Sequence, residues 1–422
     1  MPPLNRRNFL KTAAVISAGT ALSAPAWSKS AAANGLAAAQ VPFLKPGQVL
    51  QEATSYPDRL TGRTVTKLTA RRDFNQLPTY HNNSAFTADS RALIFASWPK
   101  DMSVSYLMKA ELDTGAVTVI AALPRDLKRG HFIGNSLAIE QKTAWALVNT
   151  YAAIYAYDRN TFEEKTLLPI TPQVSFGHPA GSIDGKTMYL ARNGEGSAPF
   201  KYTILAVEIA TGAVKELFAE NNYHCVHLQP STMNPDEFLV AREPKLLAKK
   251  KPVVPGIYET PRMIIWNRAT GGITPLSPVM DPKKWITHMV WNYRGERLFY
   301  EMGDSKEAKQ HEIGVFDRSG KNLWHMINNR SGHKVHVGAH TQKDWMILEG
   351  GYFAGQRKFT FFKFDQTDKS GNPAQEDIAL HESEADETQE SHGHPQVSPD
   401  GQWMCFNELK NGRSDVFVVR LD

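Results

Sequence analysis

Gln389, His392 and His394 lie within six positions of one another in QESHGHPQVSPDG, residues 389–401. In an extended strand alternate side chains point to one face, so His392 and His394 would share a face with an amide oxygen close by. Two neutral imidazoles and an amide carbonyl suit Mn²⁺, Zn²⁺, Ni²⁺ or Fe²⁺. No carboxylate stands in this set, so a bound cation would keep its full charge for an anionic substrate group. Standing alone, an HxH at a strand start reads equally well as two solvated histidines. What separates the two readings is whether the layout recurs.

It does recur. His81, His131, His178, His227, His288, His336 and His394 each open a segment of the same grammar, at separations of 50, 47, 49, 61, 48 and 58 residues. From each marker a strand runs into a polar turn such as TADS, SIDG, NYRG or SPDG, then into an apolar strand. A further strand ending in D-x-x-T-G or a variant of it leads to a short fourth strand. Units of about 40–50 residues with four short strands each predict a β-propeller. Seven such units make an all-β, seven-bladed propeller. RTVTKLTA, Arg63 to Ala70, is strand-like, precedes the first marker and is expected to close the last blade.

The first strand of every blade lines the central channel of a propeller, so residues at the starts of those strands converge on one mouth. Any one of the seven histidines reads as a buried ring satisfied by backbone. Seven at one repeat position are hard to ascribe to packing, because Val or Ala would line a channel more cheaply.

The N-terminus carries Asn5-Arg6-Arg7-Asn8-Phe9-Leu10-Lys11, a short apolar run and an Ala-x-Ala site at Ala24–Ala26. That pattern predicts a twin-arginine signal peptide over 1–26 and a periplasmic protein exported already folded. Residues 27–57 read as a flexible lead-in, and 58–422 as the propeller. No other stretch is long and apolar enough to span a bilayer. The net charge of +5 is scattered, and KLLAKKKP is the only basic cluster, so nucleic acid is not the expected partner. Only Cys225 and Cys405 are present, far apart and without CxxC spacing, which excludes a disulfide framework and a thiolate zinc site.

The pattern Q-x-x-H-x-H-P-x-x-S/T-P-D, with ITHMVWN upstream, resembles the oligogalacturonate lyases, seven-bladed propellers of pectin degradation. RTVTKLTA followed by YHNNSAFTADSRALIFAS is similar to that family's opening. The resemblance runs over roughly 58–422 and is clearest in the first, fifth and seventh units. It implies a divalent metal, typically Mn²⁺, held by His288, Gln389, His392 and His394. It also implies β-elimination on a 4-linked uronate oligosaccharide or polysaccharide, in which a base takes the C5 proton and the metal steadies the adjacent carboxylate. A neutral histidine suits the base role. In the family register His227 matches the first histidine of the fourth blade, while Arg242 stands where the family has a second. The family's arginine position falls near Ala206, so Arg242 is the candidate replacement cation. His178 and His224 are rival bases, Tyr80 and Tyr223 candidate acids, and His81, His131, His336 and Tyr80 candidate substrate contacts.

Other readings remain open at this stage. A lyase acting on another uronate polymer, such as ulvan, would keep the metal set and change the remainder. Non-catalytic propellers of the periplasmic translocation type carry the same S-P-D-G turns but need no histidine ring. Propeller lactonases ligate calcium through carboxylates and Asn rather than imidazoles.

Overall fold

The computed structural model describes residues 43–71, 73–124, 134–150, 153–169, 174–194, 201–244, 260–276, 284–304, 311–328, 336–349, 357–383 and 392–421. Within Pro46–Leu421 the chain forms seven antiparallel sheets, five of them built from strands consecutive in the chain and two completed by N-terminal strands. The sheets are the seven blades of a propeller. Blade 1 runs from Phe74–Pro78 to Ala116–Pro124, and blade 2 from Leu137–Ile139 to Glu164–Pro169. Blade 3 begins with Val174–Phe176 and Ala180–Gly181, and blade 4 with Tyr223–Pro230. Blades 5, 6 and 7 begin with Lys284–Trp291, Val337–Ala339 and Gln396–Val397.

Closure occurs as expected. Thr64–Lys67 adds to the outer side of blade 7, with Val65 opposite Val419 and Lys67 opposite Phe417. The lead-in is less free than its composition suggests. Val49–Gln51 pairs with the outer strand of blade 1, and Thr54–Pro57 pairs with the closing strand of blade 7. Residues 49–57 thus belong to the sheets rather than to a flexible lead-in, and they cover two strand edges that would otherwise face solvent. Asp58 holds the hairpin between Thr54–Pro57 and Thr64–Lys67, accepting the N–H groups of Leu60 and Thr61 at 3.0 and 2.9 Å.

Packing follows from strand alternation. Central strands are apolar on both faces because each blade is sandwiched between two others. Phe95, Leu107, Ile154, Leu190, Val240, Phe299 and Ile347 are fully buried, and the apolar clusters lie in the seams between neighbouring blades. Each such side chain contributes roughly 1.5–3 kcal/mol by leaving water. The closing seam between blades 7 and 1 carries buried hydrogen bonds. Gln396 accepts the N–H of Ala85 at 2.6 Å and donates to Thr79 O at 2.6 Å.

The S-P-D-G turn works as its residues dictate. Ser398 Oγ donates to Asp400 Oδ1 at 2.5 Å, and Asp400 accepts the Gln402 N–H at 3.0 Å. Gly401 has φ 73°, and a Cβ there would lie 2.7 Å from the His340 ring. These turns end the inner strands, but the marker histidines do not begin them as expected: His227 and His288 lie within Tyr223–Pro230 and Lys284–Trp291, and His81 follows Phe74–Pro78.

Candidate metal centre

The inner strands are irregular where their histidines sit. In blade 3 the strand is interrupted between Phe176 and Ala180, and His178 occupies the gap. In blade 4 the register shifts between Cys225 and Leu228, enclosing His227. In blade 5 it shifts between Thr287 and Val290, enclosing His288. A bulge re-aims a side chain that a regular strand would place on a sheet face. His288 and His394 also have positive φ, 49° and 45°. Side chains rarely adopt that region, and it clusters at functional sites.

The result is a packed ring of imidazoles around one tyrosine. Tyr80 lies 4.5 Å from His81 and 4.5 Å from His178 (ring centroids), and stacks on His227 at 5.3 Å. It also meets His336 at 5.7 Å and His394 at 5.2 Å. Five blades thus touch one ring. His336 lies 4.0 Å from His288, 4.8 Å from His392 and 4.3 Å from His394. His336, His392 and His394 each offer a ligand atom within 4.8 Å of the other two, and all three are buried. Bonds of about 2.1 Å put neighbouring ligands of one tetrahedral ion about 3.4 Å apart. The trio's imidazoles are the right donors for such an ion, and its widest pair would close by up to about 1.4 Å to seat it.

Behind part of this ring stands a second layer. His288 Nδ1 is 2.7 Å from Glu301 Oε2, and His336 Nδ1 is 2.9 Å from Glu349 Oε2. His394 Nδ1 is 3.4 Å from Asn407 Oδ1. In every case the partner is the residue 13 positions on, carried by the second strand of the same blade. The same offset from His81, His178 and His227 reaches Ile94, Ala191 and Val240, all buried and apolar. Histidines backed by a carboxylate or amide are the usual form of a metal ligand, because the partner fixes the tautomer and raises basicity. This offset is legible in the sequence once the blades are aligned.

Burial keeps five of these rings neutral. His81, His227, His336 and His394 are held well below 6.5 by burial first and by neighbouring imidazoles next. Burial alone lowers His178 to about 4. Each ring therefore keeps one lone pair. His81 gives its Nδ1 proton to Val337 O at 3.1 Å, and its buried Nε2 has no partner among the described residues. His336 Nε2 is buried and unpartnered in the same sense. Burial pushes the Glu349 carboxyl up to about 8, against the amides of Gly393 and His394 that favour its ionised form. A cation on the adjoining imidazole would favour that form further.

Tyr80, His81, His178, His227, His288, His336, His392 and His394 are thus assembled at one mouth. His131 and Gln389 fall outside the described residues. Arg242 and Tyr223 join a different network. Arg242 forks onto Glu220 through Nε at 2.9 Å and Nη2 at 2.7 Å, and its guanidinium lies over the Tyr223 ring at 5.2 Å. Tyr223 Oη pairs with Thr260 Oγ1 at 2.7 Å. Arg262, absent from the sequence reading, is a buried cation paired with Glu243 and with Ile286 O, two residues before His288. Glu301 and Glu349 are the other residues that reading missed.

Residues 3–23 match the TAT (twin-arginine translocation) pathway signal sequence, so the chain carries a signal for export across the cytoplasmic membrane. Among the described residues no helix is long and apolar enough to cross a membrane. No curated protein matches the chain. Solved structures do. An oligogalacturonate lyase in complex with manganese superposes with TM-score 0.69 at 16% identity, over 90% of this chain and 99% of that one. An oligogalacturonate lyase from Vibrio parahaemolyticus gives TM-score 0.69 at 14% identity, again over 90% and 99%. A prolyl endopeptidase gives TM-score 0.52 at 12% identity, over 82% of this chain and 49% of that one. The chain is a seven-bladed propeller with the fold of the oligogalacturonate lyases, as its Q-x-x-H-x-H-P motif led one to expect.

Proposed function

We propose that this protein is a metal-dependent lyase that cleaves 4-linked uronic-acid oligosaccharides or polysaccharides by β-elimination, acting in the periplasm with Mn²⁺. The observation that carries the reading is the gathering of His288, His336, His392 and His394 at one mouth of this fold. The likeness to two oligogalacturonate lyases, one of them a manganese complex, supports the substrate class and the metal.

His288, His392 and His394, with Gln389, would hold the cation. When bound it supplies positive charge beside the substrate carboxylate, lowering the cost of charge that develops there as the C5 proton leaves. His227 is the proposed base. Its ring is neutral because burial and its neighbours hold it well below 6.5, so its lone pair is free to take the C5 proton. His178, 5.2 Å away, flanks it. As the C5–H pair forms the C4–C5 double bond, the C4–O4 bond breaks and O4 needs a proton. Tyr80 is the proposed donor of that proton to O4: burial, then Glu301 and Glu349, keep its hydroxyl protonated until the bond breaks, and its ring stands between the base and the metal ligands. His81 offers its Nε2 to a substrate hydroxyl. Arg242, neutralised by Glu220, is left out of the reacting set and serves the blade wall.

The test uses purified full chain loaded with Mn²⁺ and given oligogalacturonate, then other uronate polymers. A rise in unsaturated-uronate absorbance is expected with one of them. No rise with any uronate would sink the reading.

A further inference from the structure

The predicted ligand set takes one residue from blade 5 and three from the stretch before blade 7, and gives blade 6 no part in holding the ion. The geometry points elsewhere. Glu349, at the end of the second strand of blade 6, has its side chain only 3% exposed. Two backbone N–H groups and one imidazole nitrogen converge on it. Oε2 faces His336 Nδ1 at 2.9 Å and the His394 N–H at 3.4 Å, and Oε1 accepts the Gly393 N–H at 2.5 Å. The Gly393 and His394 amides favour the carboxylate, as a cation on the adjoining imidazole would, and a carboxylate accepts from His336 Nδ1 as well, which leaves the lone pair on Nε2. That nitrogen is the buried atom with no partner among the described residues. The same carboxylate therefore orients an imidazole of blade 6 and clamps the His392-Gly393-His394 backbone of blade 7.

We infer that His336 is a metal ligand beside His288, His392 and His394, and that Glu349 is the positioning residue that presents it and sets its spacing from the two blade 7 histidines. The inference rests on the metal-centre reading above and goes beyond the ligand set proposed there.

The test is made on the full chain loaded with Mn²⁺. Isothermal titration gives the affinity, and X-ray absorption counts the imidazoles on the metal. Wild type is expected to show four, and His336→Ala one fewer, with Mn²⁺ affinity lower by at least about 10-fold. In Glu349→Gln the amide either faces the Gly393 N–H donor to donor or, turned over, drives the His336 proton onto Nε2. Loss of such an outer partner costs about 10–100-fold in affinity. The imidazole count should also fall by one in Glu349→Gln while circular dichroism is unchanged, a change that a merely structural carboxylate would not produce. Should Glu349→Gln fail to fold, the wild-type count and His336→Ala still decide. An unchanged count in His336→Ala, with affinity within about threefold of wild type, overturns the inference. A four-imidazole centre in a protein that cleaves no uronate would reject the lyase and leave this inference standing. An active lyase whose metal is indifferent to His336 would do the reverse.

Discussion

The histidines of blades 5, 6 and 7 and those of blades 1, 3 and 4 all mark sequence units, yet they differ in the residue that follows 13 positions on. His288, His336 and His394 are backed by Glu301, Glu349 and Asn407. His81, His178 and His227 have Ile94, Ala191 and Val240 at the matching offset. A carboxylate behind an imidazole makes it a fixed, electron-rich donor. An imidazole with no such partner is a neutral ring free to turn toward a substrate, and burial lowers His178 to about 4. One mouth thus holds two kinds of histidine, one kind suited to a cation and the other to a substrate.

This division can be broken in several ways. The largest effect is expected at His394, which meets Tyr80, His336 and His392. His394→Ala should weaken Mn²⁺ binding by more than about 100-fold, above the usual cost of losing an outer partner, and should abolish elimination. Unchanged metal content by elemental analysis would remove this residue from the centre. On the other wall, His227→Ala should cut the elimination rate by about 10²–10⁴-fold, the range for a general base, with Mn²⁺ affinity within about threefold. Loss of metal in that variant would mean the two walls are not separate.

Glu301→Gln should reduce Mn²⁺ affinity by about 10–100-fold through its partner His288, with the melting temperature nearly unchanged. If titration shows no loss, the carboxylate layer has no bearing on the ion.

The smallest effect is the pH dependence of stability in metal-free protein. Rings held below 6.5 in the folded state bind protons first in the unfolded chain, so their contribution is lost as pH falls below about 6.5, toward about 4 in the case of His178. The buried carboxyls of Glu140 and Glu349, both raised to about 8, have the opposite sign and lose stability as pH rises from about 4.5 to about 8. The melting temperature should therefore peak near pH 6.5 and fall on both sides. A profile that is flat from pH 4.5 to 7 would show that the ring is not buried in solution.

Much of the architecture is local and repetitive, and so it could be read from the chain. The marker histidines recur, S-P-D-G and its relatives fix each turn through Ser and Asp side chains, and Thr64–Lys67 closes blade 7 by the same pairing rule as any other strand. Residues 49–57 were less legible, because short polar strands become strands only when an edge is there to receive them. Arg242 illustrates the limit at the site. Its charge is plain in the sequence, but Glu220, which cancels it, stands 22 residues away on the outer strand of another blade. Only the packing of blade 3 against blade 4 brings them together.

The sequence by itself determined that seven strand units repeat and that a histidine opens each. It also carried the 13-residue offset that separates two kinds of histidine. Tertiary structure decided which of those rings meet. Bulges at His227 and His288 and left-handed backbone at His288 and His394 turn the side chains inward. The closure of the ring then brings a ligand atom of His336 of blade 6 within 4.8 Å of those of the two histidines of QESHGHPQVSPDG. The spacing between blades is set by side-chain volumes in the seams, a sum over many distant residues that no single stretch of the chain contains.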